Sequence, residues 1–266
     1  MASSSVLPDN VQRHNVGYFV DEFECELENM SGRCISIGAG TGEITKDILL
    51  PALKRDAVMT GTDASKSMVE YANRFHSVDG VLNFKTFDIE TSELPEKYVA
   101  EFDHVFSFPA LHFCTDVRRG LENIYRMLRP GGTFLMLWIS SHNIFKVLED
   151  MAEYKCFASY LYKYTAPFPD SKMPQVELKE LLRSIGFQVR HCSNREMSLV
   201  GKKPSDFLST VMSSFPFLHE MPAGGAKYFK QEFIHEYMKK SEVLQKRELT
   251  VDLYKVLMVH AEKRVL

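Results

Sequence analysis

Short apolar segments alternate with segments of helical periodicity through the first half of the chain, and this pattern constrains the fold more than any other feature of the sequence. Strands that alternate with helices in this way are typical of βαβ units, whose parallel strands are covered by helices. The pattern predicts strands over residues 33–40, 57–63, 82–89, 102–108 and 133–140. It predicts helices over residues 11–30, from the first strand to about residue 54, over 65–76 and over 116–132.

Two of these helices carry clear end signals. Ser65 is a suitable N-cap residue for the helix over 65–76. Pro130, followed by Gly131 and Gly132, is expected to stop the helix that begins at residue 116. These signals support the strand–helix alternation up to residue 140.

The second half of the chain is predicted to be mainly helical, with two further strands. Residues 143–162 and 174–185 have helical patterns, and residues 204–248 are expected to form two or three helices. Residues 187–200 and 251–263 alternate like strands. We therefore expect an α/β fold with a Rossmann-like, seven-stranded sheet and an inserted helical cap.

The expected domain organisation is a single domain over residues 1–266. Its core sheet lies in 31–142 plus the strands near 187–200 and 251–263, and its helical cap comprises 143–185 and 204–248.

The predicted cap is rich in aromatic residues, and two hypotheses for them remain open. The rings either form the wall of an apolar pocket or merely pack the cap onto the sheet, since aromatic residues are common in ordinary cores. The residues concerned are Phe207, Phe215, Phe217, Tyr228, Phe229, Phe233 and Tyr237.

The composition favours a small-molecule substrate. The net charge is −3, and no predicted helix carries the stripe of Lys and Arg that a nucleic-acid site needs. The N-terminus lacks the apolar segment of a secretory signal, and apolar runs such as 133–139 are too short to span a bilayer. The five cysteines are scattered without CxxC spacing, as in a reducing cytosol. We expect a cytoplasmic protein without a membrane span, and the sequence leaves a homodimer open.

The run Gly38-Ala39-Gly40-Thr41-Gly42 directly follows the first predicted strand and opens a helix. A glycine turn at this point lets the backbone approach a ligand closely, with helix N–H groups directed toward it. The spacing is Gly-x-Gly-x-Gly rather than the Gly-x-Gly-x-x-Gly of dinucleotide-binding folds. The loop therefore indicates a ligand site but does not name the ligand.

Two aspartates end the next two predicted strands. Asp63 follows the glycine loop by about twenty residues, and a carboxylate there can accept both ribose hydroxyls of a nucleoside. The alternative is a helix cap, a role open to Asp63 or Ser65. Asp88 and Ile89 end the third strand, at the edge of a parallel sheet where ligands bind.

These elements, with Arg129-Pro130-Gly131-Gly132 before the fifth strand, resemble the motifs of class I methyltransferases, which use S-adenosylmethionine (SAM). The resemblance implies that Met68 covers the adenine, that Asp88 accepts its amino group and that the backbone of Ile89 supports the ring. No metal is expected, because nothing resembles the carboxylate cluster of the metal-dependent catechol methyltransferases. The cofactor-binding residues implied are Gly38, Ala39, Gly40, Gly42, Asp63, Ala64, Met68, Asp88, Ile89 and Ser107.

A narrower resemblance extends over nearly the whole chain, to the insect juvenile hormone acid O-methyltransferases. It implies methylation of the carboxylate of a farnesoic or juvenile-hormone-type terpenoid acid, a small hydrophobic substrate. The segments that carry it include Val11-Gln12-Arg13-His14, Asp21-Glu22-Phe23, Gly61-Thr62-Asp63, Phe102-Asp103-His104-Val105, Leu111-His112, Pro216-Phe217-Leu218 and Tyr254-Lys255-Val256.

The same resemblance implies the substrate-binding and catalytic residues. Gln12 matches the family residue that holds the substrate carboxylate. His112 is the remaining candidate for the second donor, and the alternative is a histidine that is merely hydrogen-bonded beside the cofactor. Phe113 stands where the family has a tryptophan, and a phenyl ring has no N–H to donate. Phe108, Phe113 and Trp138 are expected to enclose the apolar chain.

Phe113 leaves two other functions open. One is methylation of another small acid, a phenol or an amine, for which His112 would be the first candidate base. The other is a non-catalytic protein that binds SAM or a lipid.

Overall fold

The structure is a computed structural model that describes residues 11–108, 111, 114–161, 168, 171–201, 208, 211–212, 215–240 and 250–265. The chain divides into two compact units. The sheet unit comprises Asn15–Ser140, Asp170–Arg195 and Val256–Leu266. The helical unit comprises Met1–His14, Ser141–Pro169 and Glu196–Lys255.

Seven strands form one sheet in the order β3-β2-β1-β4-β5-β7-β6, which confirms the predicted α/β fold. β1 pairs in parallel with β2 and β4, and the pairs β2–β3 and β4–β5 are also parallel. The order reverses at β1, next to β4, and ligands of such sheets bind at this switch point. The strands are β1 (Arg33–Ile37), β2 (Val58–Asp63), β3 (Leu82–Thr86), β4 (Phe102–Ser107), β5 (Leu128–Ser141), β6 (Phe187–Gly201) and β7 (Thr250–Lys263).

β1 and β3 end earlier than the sequence predicts. β1 stops at Ile37, so the whole glycine loop lies beyond the strand. β3 stops at Thr86, so Asp88 and Ile89 belong to the turn that follows it. Both candidate ligand-binding segments are therefore loops at the carboxyl edge of the parallel strands.

The start of β5 corrects a prediction. The preceding helix ends at Met127 rather than at residue 132, and Leu128 is already extended, with ψ of 139°. The register moves from Phe102↔Leu128 to His104↔Thr133, so the residues between Leu128 and Thr133 form a bulge. Pro130 lacks an N–H and Gly131 has φ of +80°, and both features suit a bulge in a strand.

Two of the described helices precede β1 along the chain, and the others connect the strands, together with one-turn segments at Glu96–Tyr98 and Pro216–His219. The expected helix over 11–30 is divided at Phe23, and the one over 143–162 is divided after residue 152. Ser65 caps its helix, since its Oγ accepts the N–H of Met68 at 3.4 Å. The helices are α1 (Val11–Glu22), α2 (Glu24–Leu27), a π-helical turn (Thr45–Leu49) leading into α3 (Leu50–Ala52), α4 (Lys66–Phe75), α5 (Val117–Met127), α6 (Asn143–Ala152), α7 (Ala158–Leu161), α8 (Pro174–Ile185) and α9 (Ala223–Lys240).

Helix α8 differs from its expected place in the cap. It belongs to the sheet unit, where it packs against α5. Leu178 and Leu182, one turn apart, are both fully buried, and this apolar stripe accounts for the packing. Arg118 of α5 also donates to Ser184 Oγ at 3.2 Å.

The centre of the sheet is covered on both faces. Phe134, Leu135, Met136 and Leu137 of β5 are successive residues and none exceeds 1% exposure. Consecutive buried residues mean that neither face of the strand is open to solvent, as is usual for parallel sheets. Within the described ranges, no helix is both long and apolar enough to cross a bilayer.

Candidate functional site

The glycine loop leaves β1 in a left-handed backbone conformation. Gly38, Gly40 and Gly42 have φ of +68°, +55° and +84°, a region that residues with a Cβ rarely adopt. The loop is tied to β2, because the N–H of Ala39 donates to the carbonyl of Thr62 at 2.8 Å. The glycines at these positions are therefore required by the backbone itself.

Gly40 and Gly42 differ in the space that surrounds them. A Cβ on Gly42 would lie 2.5 Å from Cζ of Phe84, so this glycine allows close packing inside the protein. The same ring lies 2.3 Å from a Cβ placed on Gly61. A Cβ on Gly40 would meet no described atom within 4 Å. Gly40 thus faces open space, as expected of a backbone that a ligand approaches.

Asp63, at the end of β2, is hydrogen-bonded to the glycine loop. Its Oδ2 accepts the N–H of Gly40 at 3.0 Å, and its Oδ1 accepts the N–H of Ser65 at 2.9 Å. Ser65, not Asp63, caps α4. A carboxylate has about four lone-pair positions, so each oxygen of Asp63 keeps capacity for a ligand hydroxyl.

Three buried hydroxyl residues, Ser36, Thr45 and Thr62, lie next to the loop, and none was predicted from the sequence to belong to the site. Thr45 Oγ1 donates to Ser36 Oγ at 3.3 Å, and Thr62 Oγ1 donates to the Ser36 carbonyl at 3.2 Å. Thr45 also begins the π-helical turn, an irregularity often found at functional sites. A serine within the apolar run of β1 was the only sequence signal for this network.

The turn after β3 holds the second candidate segment. Asp88 is exposed, and its Oδ1 accepts the N–H of Glu90 at 2.9 Å. Ile89 is 7% exposed. Asn123 of α5 donates to the carbonyls of Ile89 and Thr91 at 2.8 and 2.9 Å. Asn123 was also missed, because nothing in the sequence links α5 to this turn. Glu90 directly follows Ile89 but matches no motif, and it was missed as well.

The end of β4 places Ser107 beside the glycine loop, since Ser107 pairs with Ile37 in the sheet register. Its side chain is fully buried, and none of the described residues hydrogen-bonds its hydroxyl. A buried hydroxyl without a partner is unfavourable by about 1–3 kcal/mol. Its position therefore suits contact with a ligand.

Other predicted site residues have varied surroundings. Met68 is half-buried in the first turn of α4, and Ala64 is exposed. Phe108 is 7% exposed, and its ring lies 4.8 Å from that of Phe19 of α1. Trp138 is only 1% exposed. 

The predicted acceptor-binding residues are only partly described. Gln12 is half-buried on α1. His112 and Phe113 lie outside the described residues, as does Phe207 of the aromatic set. The roles of these residues remain predictions from the sequence.

Cys34 is buried and Cys192 is half-buried in the sheet unit. Burial, followed by the charge of Asp103, raises the pKa of the Cys34 thiol to about 12. Burial also raises the pKa of Cys192 to about 11. Neither thiol is ionised at neutral pH, so neither is an activated nucleophile. In the part of the chain that the structure describes, no three metal-ligating side chains come together.

The aromatic residues of the helical unit pack against one another. Phe215, Phe217, Phe229 and Phe233 are at most 2% exposed. Ring centroids lie 5.2 Å apart for Phe217–Phe229, 5.3 Å for Phe215–Phe233 and 5.2 Å for Phe157–Phe229. These spacings are typical of edge-to-face and stacked pairs in cores. The arrangement favours the packing hypothesis for these rings.

The chain is similar to known methyltransferases over most of its length. A family described as "Methyltransferase domain" matches residues 35–136. The juvenile hormone acid O-methyltransferase of Drosophila melanogaster is 30% identical over 233 residues, which cover 85% of this chain and 78% of that protein. The chain belongs to the juvenile hormone acid O-methyltransferase family of class I methyltransferases. The Bombyx mori protein of the same name is 31% identical over 163 residues, 60% of this chain and 58% of that protein.

Solved structures show the same fold. The YcgJ protein of Bacillus subtilis has a TM-score of 0.60 at 17% identity, covering 94% of this methyltransferase and 99% of that chain. The phosphoethanolamine N-methyltransferase 2 of Haemonchus contortus, in complex with phosphomonomethylethanolamine and S-adenosylhomocysteine, has a TM-score of 0.56 at 16% identity. That match covers 97% of this methyltransferase and 53% of the other chain. The fold implies SAM as the methyl donor.

Proposed function

We propose that this methyltransferase transfers a methyl group from SAM to the carboxylate of a farnesoic or juvenile-hormone-type terpenoid acid, producing the methyl ester. The similarity to the Drosophila protein over most of both chains supports this acceptor class. The placement of the SAM site is supported mainly by one observation, the hydrogen bond from the N–H of Gly40 to Asp63 Oδ2.

The residues around the glycine loop suit an adenosyl ligand. Asp63 holds the loop and keeps lone pairs for ribose hydroxyls. The open side of Gly40 admits a ligand against the backbone. The buried hydroxyl of Ser107 gives a further polar contact at the neighbouring strand end.

The adenine is proposed to lie at the turn after β3. Asp88 is exposed there, and its carboxyl oxygens can accept hydrogen bonds. Ile89 supports the ring through its backbone, and Met68 covers the opposite face. The remaining proposed contacts of the donor are the loop residues Gly38, Ala39 and Gly42, and Ala64 after β2.

SAM supplies an electrophilic methyl group on a sulfonium ion. A carboxylic acid has a reference pKa near ~4, so the acceptor is already ionised at neutral pH and needs no general base. The protein must align the acceptor oxygen with the methyl group and exclude water. Alignment of this kind lowers barriers by about 7–11 kcal/mol in favourable systems.

Gln12 and His112 are proposed to orient the acceptor carboxylate. Both side chains carry N–H donors, and both positions match residues of the family. Phe108, Phe113 and Trp138 are proposed to enclose the terpenoid chain. An apolar enclosure with few polar anchors is the usual form of a site for such a ligand.

The test is transfer of labelled methyl from SAM to a panel of farnesoic acid, juvenile hormone acids, fatty acids, phenols and amines, with products identified by mass spectrometry. Selective formation of terpenoid methyl esters is expected. Turnover confined to another acceptor would replace the terpenoid assignment with the alternative that Phe113 motivates. Binding of SAM without turnover on any acceptor would indicate a non-catalytic binder.

A variant separates the acceptor role of Gln12 from donor binding. Gln12→Ala is expected to lower kcat/KM for the acid by at least about tenfold, the effect of losing one hydrogen bond to a charged group. The dissociation constant of SAM should change by less than about threefold. His14→Ala, an exposed change on the same helix, is the matched control. Equal losses in acid turnover and SAM affinity would contradict the role given to Gln12.

A further inference from the structure

Glu90 connects two segments that are far apart in the sequence. Its Oε1 accepts the N–H of Thr115 at 2.8 Å, the hydroxyl of Thr115 at 2.9 Å and the N–H of Asp116 at 2.5 Å. Hydrogen bonds to a carboxylate are about twice as strong as those between neutral groups. One carboxylate oxygen thus fixes the short segment Thr115–Asp116.

The turn that carries Glu90 is itself fixed from the other side. The two bonds from Asn123 hold the carbonyls of Ile89 and Thr91, which flank Glu90. Asn123 is 3% exposed, so its amide is a buried part of α5. The backbone of the turn is therefore anchored on α5, while the side chain of Glu90 reaches the segment that precedes this helix.

The proposed adenine contact is directly linked to the same group. Asp88 Oδ1 accepts the backbone N–H of Glu90 at 2.9 Å. A ligand that binds the Asp88 carboxylate therefore contacts the same group that holds the backbone N–H of Glu90.

The segment that Glu90 holds adjoins the proposed acceptor residues. Thr115 is three residues after His112 in the sequence. The N–H of Cys114 donates to the carbonyl of Leu111 at 3.0 Å, so the chain on either side of residues 112–113 is connected by a hydrogen bond. Asp116 then caps α5, since its Oδ1 accepts the N–H of Arg119 at 3.0 Å.

We propose that Glu90 is a positioning residue that couples the adenine end of the donor site to the acceptor segment, so that donor binding further restrains Thr115–Asp116 and tightens acceptor binding. The inference rests on the proposed function, which places adenine at Asp88–Ile89 and the acceptor carboxylate at His112. Coupling between two ligands is reciprocal, and factors of about 5–150 are common.

Hydrogen–deuterium exchange tests the coupling without any acceptor. In wild type, saturating S-adenosylhomocysteine should slow exchange at the amides of Thr115 and Asp116 by at least about fivefold. In Glu90→Ala, the slowing should fall below about twofold, although the amides of Asp88 and Ile89 are still protected by the ligand. Glu90→Gln retains an acceptor oxygen without the charge and should restore part of the effect.

Glu93→Ala is the matched control. Glu93 is an exposed carboxylate close to Glu90, and its backbone rather than its side chain pairs with Thr91. This variant should behave as wild type. Protection at Asp88–Ile89 without protection at Thr115–Asp116 in wild type would overturn the proposal, and so would an unchanged ligand effect in Glu90→Ala.

The acceptor measurement distinguishes this coupling from the proposed function. The affinity of farnesoic acid should rise about tenfold when S-adenosylhomocysteine is bound to wild type, and the ratio should approach one in Glu90→Ala. If Glu90 has only a structural role, Glu90→Ala will lower the melting temperature but leave the ratio of acid affinities as in wild type. That result would contradict the proposal. Absence of acid binding, with exchange at Thr115–Asp116 still coupled to the donor, would overturn the acceptor assignment and support the role of Glu90.

Discussion

The sheet unit and the helical unit rely on different interactions at their most informative positions. Around the glycine loop, hydrogen bonds from Gly40, Ser65 and Thr45 fix individual groups at individual distances. In the helical unit, buried rings such as Phe229 and Phe233 pack face to face and edge to face. Directional bonds require specific residue types at specific positions, whereas apolar packing accepts many residues of suitable volume. Short motifs therefore indicate the positions of individual hydrogen-bonding groups in the first region but not the packing of rings in the second.

The aromatic cluster should show the largest loss of stability. Phe229→Ala removes a fully buried ring that contacts Phe157, Phe217 and Phe233, and such truncations cost about 3–5 kcal/mol. Urea unfolding followed by circular dichroism measures the loss. Tyr228→Ala, at a neighbouring position that is 47% exposed, should cost less than about 1 kcal/mol. Equal losses would mean that the rings do not form a core.

Within the sheet unit, two glycine substitutions should affect different properties, one the stability and the other the binding of the ligand. Gly42→Ala combines a φ of +84° with a contact of 2.5 Å to Phe84 and should cost about 2–4 kcal/mol of unfolding free energy. Gly40→Ala has only the backbone cost, about 1 kcal/mol, but should weaken S-adenosylhomocysteine binding by at least about tenfold. Denaturation and calorimetry separate the two effects. Unchanged ligand affinity in Gly40→Ala would contradict the proposed position of the donor.

Removal of the Asp63 carboxylate tests whether this group holds both the glycine loop and the ribose of the donor. Asp63→Ala deprives the N–H groups of Gly40 and Ser65 of their acceptor and removes the proposed ribose contact. Bonds to charged groups contribute about 1.5–3 kcal/mol, so affinity for S-adenosylhomocysteine should fall by about 100-fold by calorimetry. Asp79→Ala, at an exposed position, is the control. Near-wild-type affinity in Asp63→Ala would require another donor site.

The smallest expected effect is a gradual fall in the unfolding free energy of the sheet unit in mild acid. Burial lowers the pKa of His104, His191 and His260 below the ordinary value of 6.5. The folded state then binds fewer protons than the unfolded state, so stability is complete above pH 6.5 and falls as the pH drops toward the lowered pKa values. Urea unfolding between pH 5 and 8 measures this slope. His260→Gln should flatten it, and an identical slope would exclude His260 as a contributor.

The segments proposed to hold the donor were all singled out by the sequence. The glycine loop and Asp63 were identified because left-handed glycines and a strand-ending carboxylate must occur at fixed places in the chain. The end of α5 was predicted wrongly, because Pro130 and the following glycines form a bulge in β5 that pairing with β4 imposes. Such pairing depends on residues that are distant in the sequence.

By itself, the sequence determined the seven-stranded α/β fold, the methyltransferase family and the segments at which we propose the donor site. These properties depend on local periodicity and on motifs that are short enough to be read within one segment. Only the tertiary structure assigned α8 to the sheet unit, distinguished the open side of Gly40 from the packed side of Gly42, and connected Glu90 to Thr115 and Asp116. These properties are contacts between segments distant along the chain, and their residue types leave no periodic pattern in the sequence.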